Sequence, residues 1–76
     1  IQRNPTAADR NALALTRIEA KDYAAAVVEL DEALKLNPND AAAHLYRSVA
    51  LQLAKRPLDA ATSRREALRL APDWYL

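Results

Sequence analysis

The chain repeats itself at a fixed period, in stretches that are rich in helix-forming alanine and leucine. Residues 32–36 (EALKL) match residues 66–70 (EALRL), and Pro38 matches Pro72 two residues beyond each stretch. We call the shift from Pro38 to Pro72 the repeat period. A fixed period between about 20 and 50 residues is typical of proteins built by stacking small structural units. The repeat period therefore predicts a helical repeat, or solenoid, whose usual role is to offer a surface to a partner.

Local signals within each copy predict four helices and an all-α fold of tandem antiparallel helix pairs. The first helix should run from about Thr6 to Ala20, and Asp22 should cap the second. Asn37 is expected to end the second helix in the left-handed conformation, since Pro38 cannot continue it. The third helix is predicted from about Asp40 to Lys55, and Pro57 should start the fourth. Asp31 and Lys35 are expected to form an ion pair along the second helix, and short turns make each pair antiparallel.

Composition limits the function classes. The net charge is +1, which gives no electrostatic case for a nucleic-acid or acidic-membrane partner. No apolar run approaches the roughly 20 residues that span a bilayer, so no membrane insertion is expected. The chain starts at Ile1 and contains no methionine, and we expect it to be a piece of a longer protein. A soluble chain in the cytoplasm is the favoured expectation, although the absence of cysteine leaves the redox compartment open.

The repeated motifs resemble the tetratricopeptide repeat (TPR). The resemblance is carried by residues 22–27 (DYAAAV), 33–38 (ALKLNP) and 67–72 (ALRLAP). It implies two repeats, at residues 7–40 and 41–74. Residues 1–6 would then be a leader or the end of a preceding segment, and residues 75–76 the start of a further helix or a cap.

Departures from the TPR pattern are informative. The family often has glycine where Lys21 and Lys55 stand, and large apolar residues where Arg47 and Arg64 stand. Two arginines at core positions of the second copy suggest that its outer side meets water, as expected for a terminal repeat. We therefore expect this copy to lie at or near the C-terminal end of the array. An alternative is that Arg64 stacks on an aromatic ring of Trp74 or Tyr75.

The TPR resemblance also implies a concave groove lined by the first helix of each pair, and the spacing of the candidate residues places them on one stripe per helix. The expected contacts with a protein or peptide partner are the apolar anchors Leu15, Ile18, Leu45, Val49 and Leu53 and the polar residues Asn11 and Gln52. Such a groove suits an amphipathic helix or an extended apolar peptide. Alternatively, neighbouring repeats or another copy of the chain cover these residues.

The functional prediction is therefore a protein-interaction scaffold. Two alternatives remain: a structural unit that self-associates into a homo-oligomer, and a regulatory or targeting segment of a larger enzyme or secretion machine. The best-known peptide site of the TPR family is a clamp for a C-terminal carboxylate. Of its three matching positions, held here by Asn11, Leu15 and Tyr46, only Asn11 fits, so that clamp is not expected.

No residue pattern indicates catalysis. His44 is the single histidine and there is no cysteine, so neither a zinc site nor any other cofactor is expected. Ser48 and Ser63 have no evident base to activate them. The basic residues around the fourth helix suggest a solvated face that Asp59 and Glu66 offset, in preference to an anion or nucleic-acid contact. They are Arg56, Arg64, Arg65 and Arg69.

Overall fold

The computed structural model describes the backbone of residues 7–75 and the side chains of residues 9–73. Within that range the chain forms four α-helices and no strand, which confirms the predicted all-α fold. The helices are α1 (Ala7–Glu19), α2 (Tyr23–Leu36), α3 (Ala41–Leu53) and α4 (Pro57–Leu70), followed by a short 3₁₀ helix at Pro72–Tyr75. None of these helices combines the length and hydrophobicity that a membrane span needs. The expected leader, residues 1–6, and Leu76 lie outside the described range.

The helix bounds follow the repeat period of the sequence. The helix α3 begins and ends one repeat period after α1, and α4 begins and ends one repeat period after α2. Each pair turns through a lysine in the left-handed conformation, with φ 64° at Lys21 and 65° at Lys55. The flanking amides close matching bonds: Asp22 N donates to Arg17 O at 2.8 Å, and Arg56 N donates to Leu51 O at 2.9 Å.

This turn is a Schellman motif, in which two amides after the helix donate back to carbonyls of its last turn. The motif needs a positive φ at its central residue, and glycine is the residue that adopts it at least cost. The chain has no glycine, so lysine occupies the position in both copies. The tight backbone turn therefore forms without the residue that TPR sequences often place there.

The residue that follows the second helix of the first pair has a backbone conformation that differs from the prediction. Asn37 has φ −148° and ψ 90°, so the expected left-handed conformation is wrong. Its counterpart Ala71 has φ −137° and ψ 72°. The reason lies in the following residue, since Pro38 and Pro72 each exclude the helical region for the residue before them and favour extended backbone.

Side-chain caps explain where two helices begin. Asp22 accepts a hydrogen bond from Ala25 N at 3.3 Å at the start of α2, which confirms its predicted role. Asp40 accepts from Ala42 N and Ala43 N at 3.1 and 3.3 Å at the start of α3. Among the described side chains, none caps the start of α4, and this helix begins at Pro57, which is suited to the first turn.

The core is built mainly from alanine. The helix α1 packs on α2, α3 packs on α4, and α3 also lies against both α1 and α2. One buried cluster spans the first three helices and contains Ala14, Ala26, Leu30, Ala33, Ala43 and Ala50, each with no exposed surface. Small side chains let the helix backbones approach closely, so few large residues are needed to fill the space between helices.

A polar contact crosses the junction between the pairs. Arg47 Nε of α3 donates to Asp31 Oδ1 of α2 at 2.8 Å, and Arg47 Nη1 donates to Ser63 Oγ of α4 at 2.6 Å. The predicted pair of Asp31 with Lys35 is therefore wrong, and Lys35 pairs with Glu32 instead. Arg47 has 29% of its side chain exposed, so it is held between helices although we expected it to face water.

Candidate functional site

The predicted groove presents exposed apolar side chains on α1 and α3. Leu15 on α1 is 39% exposed, and Val49 and Leu53 on α3 are 41% and 46% exposed. Ile18 and Leu45 are half-buried, and Ile18 packs against the alanine-rich core. The five predicted anchors thus form two classes: three that are exposed, and two that are half-buried, of which Ile18 also packs on the core.

A pocket of about 350 Å³ opens between α3 and α4, beside the exposed side chains of Val49 and Leu53. It is lined by Leu45, Ser48, Val49, Gln52, Leu53 and Arg64. Four of the predicted site residues come together there, whereas the three on α1, Asn11, Leu15 and Ile18, are not among the lining residues. Gln52 is exposed at the pocket, as a polar contact should be.

Sequence reasoning missed two lining residues, Ser48 and Arg64. Ser48 Oγ donates to Leu45 O at 2.6 Å, so its hydroxyl is satisfied within α3. The sequence marks Arg64 as an exception to the repeat pattern and as one of the basic residues around the fourth helix, but not as a residue of the groove. The repeat period relates them to Ala14 and Leu30, but it points to a site only once the structure shows that those two residues lie in the buried cluster.

Asn11 is engaged within the chain. Its Nδ2 donates to Asp40 Oδ2 at 2.9 Å, which links α1 to the residue that caps α3. Its Oδ1 is buried and has no hydrogen-bond partner among the described residues. Next to it on α1, Arg10 Nη1 donates to Glu29 Oε1 at 3.2 Å. The predicted contact between Asn11 and a partner therefore stays a prediction.

Charges on α4 are partly paired. Arg56 forms an ion pair with Asp59, and Arg69 forms one with Glu66. The hydrogen bond that Arg69 donates lowers the pKa of the Glu66 carboxyl. These ion pairs agree with the predicted solvated basic face of α4, part of whose positive charge is neutralised by Asp59 and Glu66. Within the described range, no ion pair is formed by the exposed side chains of Arg64 and Arg65.

The histidine lies at the start of α3, as predicted. His44 is half-buried, and its Nε2 lies 3.0 Å from Pro38 O, within hydrogen-bond distance. Among the side chains that the structure describes, no group of three His, Cys, Asp or Glu is placed to hold a metal ion.

Comparison with known proteins yields a limited similarity. The chain is similar to a protein named "Protein STIP1 homolog" from Dictyostelium discoideum, with 36% identity over 55 residues. That match covers 72% of this chain and 10% of the relative, so the chain spans about a tenth of the relative's length. No family model matches the chain. No solved structure matches it. The similarity and the four packed helices are compatible with a TPR-like chain.

Proposed function

We propose that the chain is a TPR-like protein-interaction module made of two repeats, residues 7–40 and 41–74. In this division, residues 1–6 are a leader or the end of a preceding segment, and residues 75–76 begin a further helix or a cap. The support is the constant offset of the helix bounds by one repeat period and the matching left-handed turns at Lys21 and Lys55. The similarity to the Dictyostelium protein agrees with it.

The exposed apolar row on α1 and α3 carries the functional proposal. Leu15, Val49 and Leu53 leave about two fifths of their surface or more in contact with water. A single exposed leucine needs no explanation, but Val49 and Leu53 line one pocket, and Leu15 stands one repeat period before Val49. Exposed apolar side chains grouped at a pocket are typical of an interaction site. We infer that a protein or peptide partner covers this row and that the chain itself binds and does not catalyse.

Each predicted residue has a role in this binding. Leu15, Val49 and Leu53 supply the exposed anchors, and Leu45 forms the half-buried wall of the pocket. Ile18 supports the row from the core, and Gln52 offers a polar contact at its side. Asn11 contributes a second polar contact by exchanging its hydrogen bond to Asp40 for one to the partner. A helix with apolar residues every three or four positions, or an extended apolar peptide, would fit this row.

The test begins with a displayed peptide library selected on the immobilised chain, followed by calorimetry with the peptides recovered. Val49→Asp and Leu15→Asp should each weaken binding by about 1–2 kcal/mol, or roughly 5- to 30-fold, because a charge then faces the apolar ligand. The matched control is Leu58→Asp on α4, where the leucine is 84% exposed and lies outside the row.

Two results would count against the proposal. If Val49→Asp and Leu58→Asp bind the selected peptides equally well, the row is not the binding surface. If circular dichroism shows that Val49→Asp loses its helices, Val49 belongs to the core and the groove assignment fails.

Self-association is the second candidate function, and the same exposed row favours it, since another copy could cover it. About three repeats are generally needed for stability, and the proposed division gives two. Sedimentation over a wide concentration range separates the candidates. A monomer that melts cooperatively excludes obligate self-association, whereas a dimer that Val49→Asp dissociates supports it. A regulatory or targeting segment of a larger machine would use the row as the first candidate does.

A further inference from the structure

The pocket between α3 and α4 lies on the surface that corresponds to the seat of α3 on the first pair. Ser48 stands one repeat period after Ala14, and Arg64 stands one repeat period after Leu30. Ala14 and Leu30 have no exposed surface, and they share one buried cluster with residues of α3. The first pair therefore holds a helix at this place, whereas no further α-helix of the described residues covers it on the second pair.

The way α3 sits on the first pair shows what a bound helix must supply. Its residues Ala43 and Ala50 are wholly buried in the shared cluster and lie about two helical turns apart. Between them, Arg47 Nε donates to Asp31 Oδ1 of α2 at 2.8 Å. The seat thus accepts two small residues, the ring of Tyr46 packed against the same cluster, and one charged residue that pairs with the second helix of the pair.

The charge of this seat is reversed on the second pair. The residue one repeat period after Asp31 is Arg65, and Leu30 is replaced by Arg64. Neither arginine forms an ion pair within the described residues, and both are exposed. A helix seated here as α3 is seated on the first pair would bring the residue in the place of Arg47 against Arg65. An arginine there would be repelled, and a carboxylate would be attracted.

We propose that the surface of α3 and α4 around this pocket binds a partner helix in the position that α3 takes on the first pair. The partner helix carries two small residues two helical turns apart and, between them in the place of Arg47, a glutamate or aspartate that pairs with Arg65. This inference rests on the proposed binding function, because the pocket shares Val49 and Leu53 with the exposed row.

A second copy of the chain is a poorer occupant of this surface. Its α1 would present Leu13 in the place of Arg47 and Thr16 in the place of Ala50. It therefore offers neither a carboxylate nor an alanine at these two positions. The charge of Arg65 therefore favours a different helix, one with a carboxylate in the place of Arg47.

Two synthetic peptides test the proposal. Both carry residues 40–54 of this chain, which include the cap and the whole of α3. One retains arginine at position 47, and the other has the substitution R47E. Each is titrated into the full chain at low salt, and binding is followed by the NMR signals of the Val49 and Leu53 methyl groups. We expect the R47E peptide to bind about tenfold more tightly than the arginine peptide.

Variants of the full chain then identify the charge responsible. Arg65→Asp should reverse the preference so that the arginine peptide binds more tightly, and Arg65→Ala should remove it. Arg17→Asp, which changes an exposed arginine on α1, is the matched control and should leave the preference unchanged. Circular dichroism of each variant checks that the four helices are retained.

The proposal is overturned if the two peptides bind equally, if neither shifts the Val49 and Leu53 signals, or if Arg65→Asp leaves the preference unchanged. It is also overturned if the chain alone self-associates through these methyl groups and the peptides do not displace the second copy. Leu15→Asp separates this inference from the proposal that a partner covers the exposed row. Leu15 does not line the pocket, so the variant should weaken ligands of the groove and leave the R47E peptide bound.

Discussion

Leu30 and Arg64 occupy corresponding positions in the two copies, and we predict that they respond very differently to truncation. Leu30 has no exposed surface and lies in the cluster that joins the first pair to α3. Arg64 is exposed at the open pocket on the second pair. The comparison isolates the effect of α3, which covers Leu30, since no α-helix in the described part of the chain covers Arg64 in the same way.

The expected magnitudes follow from burial. Leu30→Ala removes three buried carbon groups worth about 0.8 kcal/mol each, or about 2.4 kcal/mol before any cavity is counted. With the cavity, such changes cost about 2–5 kcal/mol. Arg64→Ala should change the free energy of unfolding by about 0.5 kcal/mol or less, as is usual for exposed positions. The effect of Arg64→Leu should be similarly small, because no α-helix in the described range covers the new side chain.

The assay is chemical denaturation followed by circular dichroism at 222 nm, with one slope fitted to all variants. A domain of this length has about 4–11 kcal/mol of stability in total, so Leu30→Ala could be largely unfolded in buffer. In that event, all variants are compared at one concentration of trimethylamine N-oxide, which favours compact states.

Either of two results would refute the reasoning. A cost for Arg64→Ala that matches Leu30→Ala would mean that the second pair is covered at this place. A gain of several kcal/mol for Arg64→Leu would mean that Arg64 occupies an ordinary core position. The open pocket, and with it the expectation of a polar outer face on the second copy, would then be wrong.

Three further predictions concern the turns, the caps and the junction. Arg56→Ser should stabilise the fold by about 0.5–1 kcal/mol, measured by denaturation, because α4 lacks the side-chain cap that serine provides. Lys21→Gly and Lys55→Gly should each raise stability by about 0.5–1 kcal/mol through relief of the left-handed conformation, and their effects should add. Arg47→Ala should lower the free energy of unfolding by about 1–2 kcal/mol, because it removes the ion pair with Asp31 and the hydrogen bond donated to the buried hydroxyl of Ser63. A double-mutant cycle with Asp31→Ala should assign about 0.5–1 kcal/mol of that cost to the ion pair.

Local signals predicted the helices well. Asp22 caps α2 and Pro57 opens α4, because a cap or a proline acts on the backbone next to it. Asn37 shows the limit of a residue-by-residue preference. Its tolerance of left-handed backbone suggested one conformation, but the proline that follows imposed another. Here the stronger steric constraint of the neighbour decided the geometry.

Contacts between helices were less predictable. Asp31 was assigned to Lys35 one turn away, yet Arg47 of α3 reaches it at 2.8 Å. An arginine at a core position was expected in water, but it lies between α2 and α4. Pairing partners depend on which helices meet and at what distance, and a pattern along one helix contains no such distance.

The candidate site was likewise predicted only in part. Helical spacing placed Leu45, Val49 and Leu53 on one stripe, and the structure brings them together with Gln52 at one pocket. The residues Leu15 and Ile18 of the other stripe do not line that pocket, and the contribution of Arg64 from α4 was not foreseen as part of a site. Packing of α4 against α3 creates the opening, so its lining includes residues from both helices.

The amino-acid sequence by itself determined the fold class, the helix bounds and the repeat period, because helix propensity, caps and prolines act over a few residues. The tertiary structure decided which corresponding residues of the two copies are buried or paired and which are exposed. The position that buries Leu30 exposes Arg64, and the position that pairs Asp31 with α3 leaves Arg65 unpaired within the described residues. These differences arise because α3 covers the first pair, whereas in the described range no further α-helix covers the second.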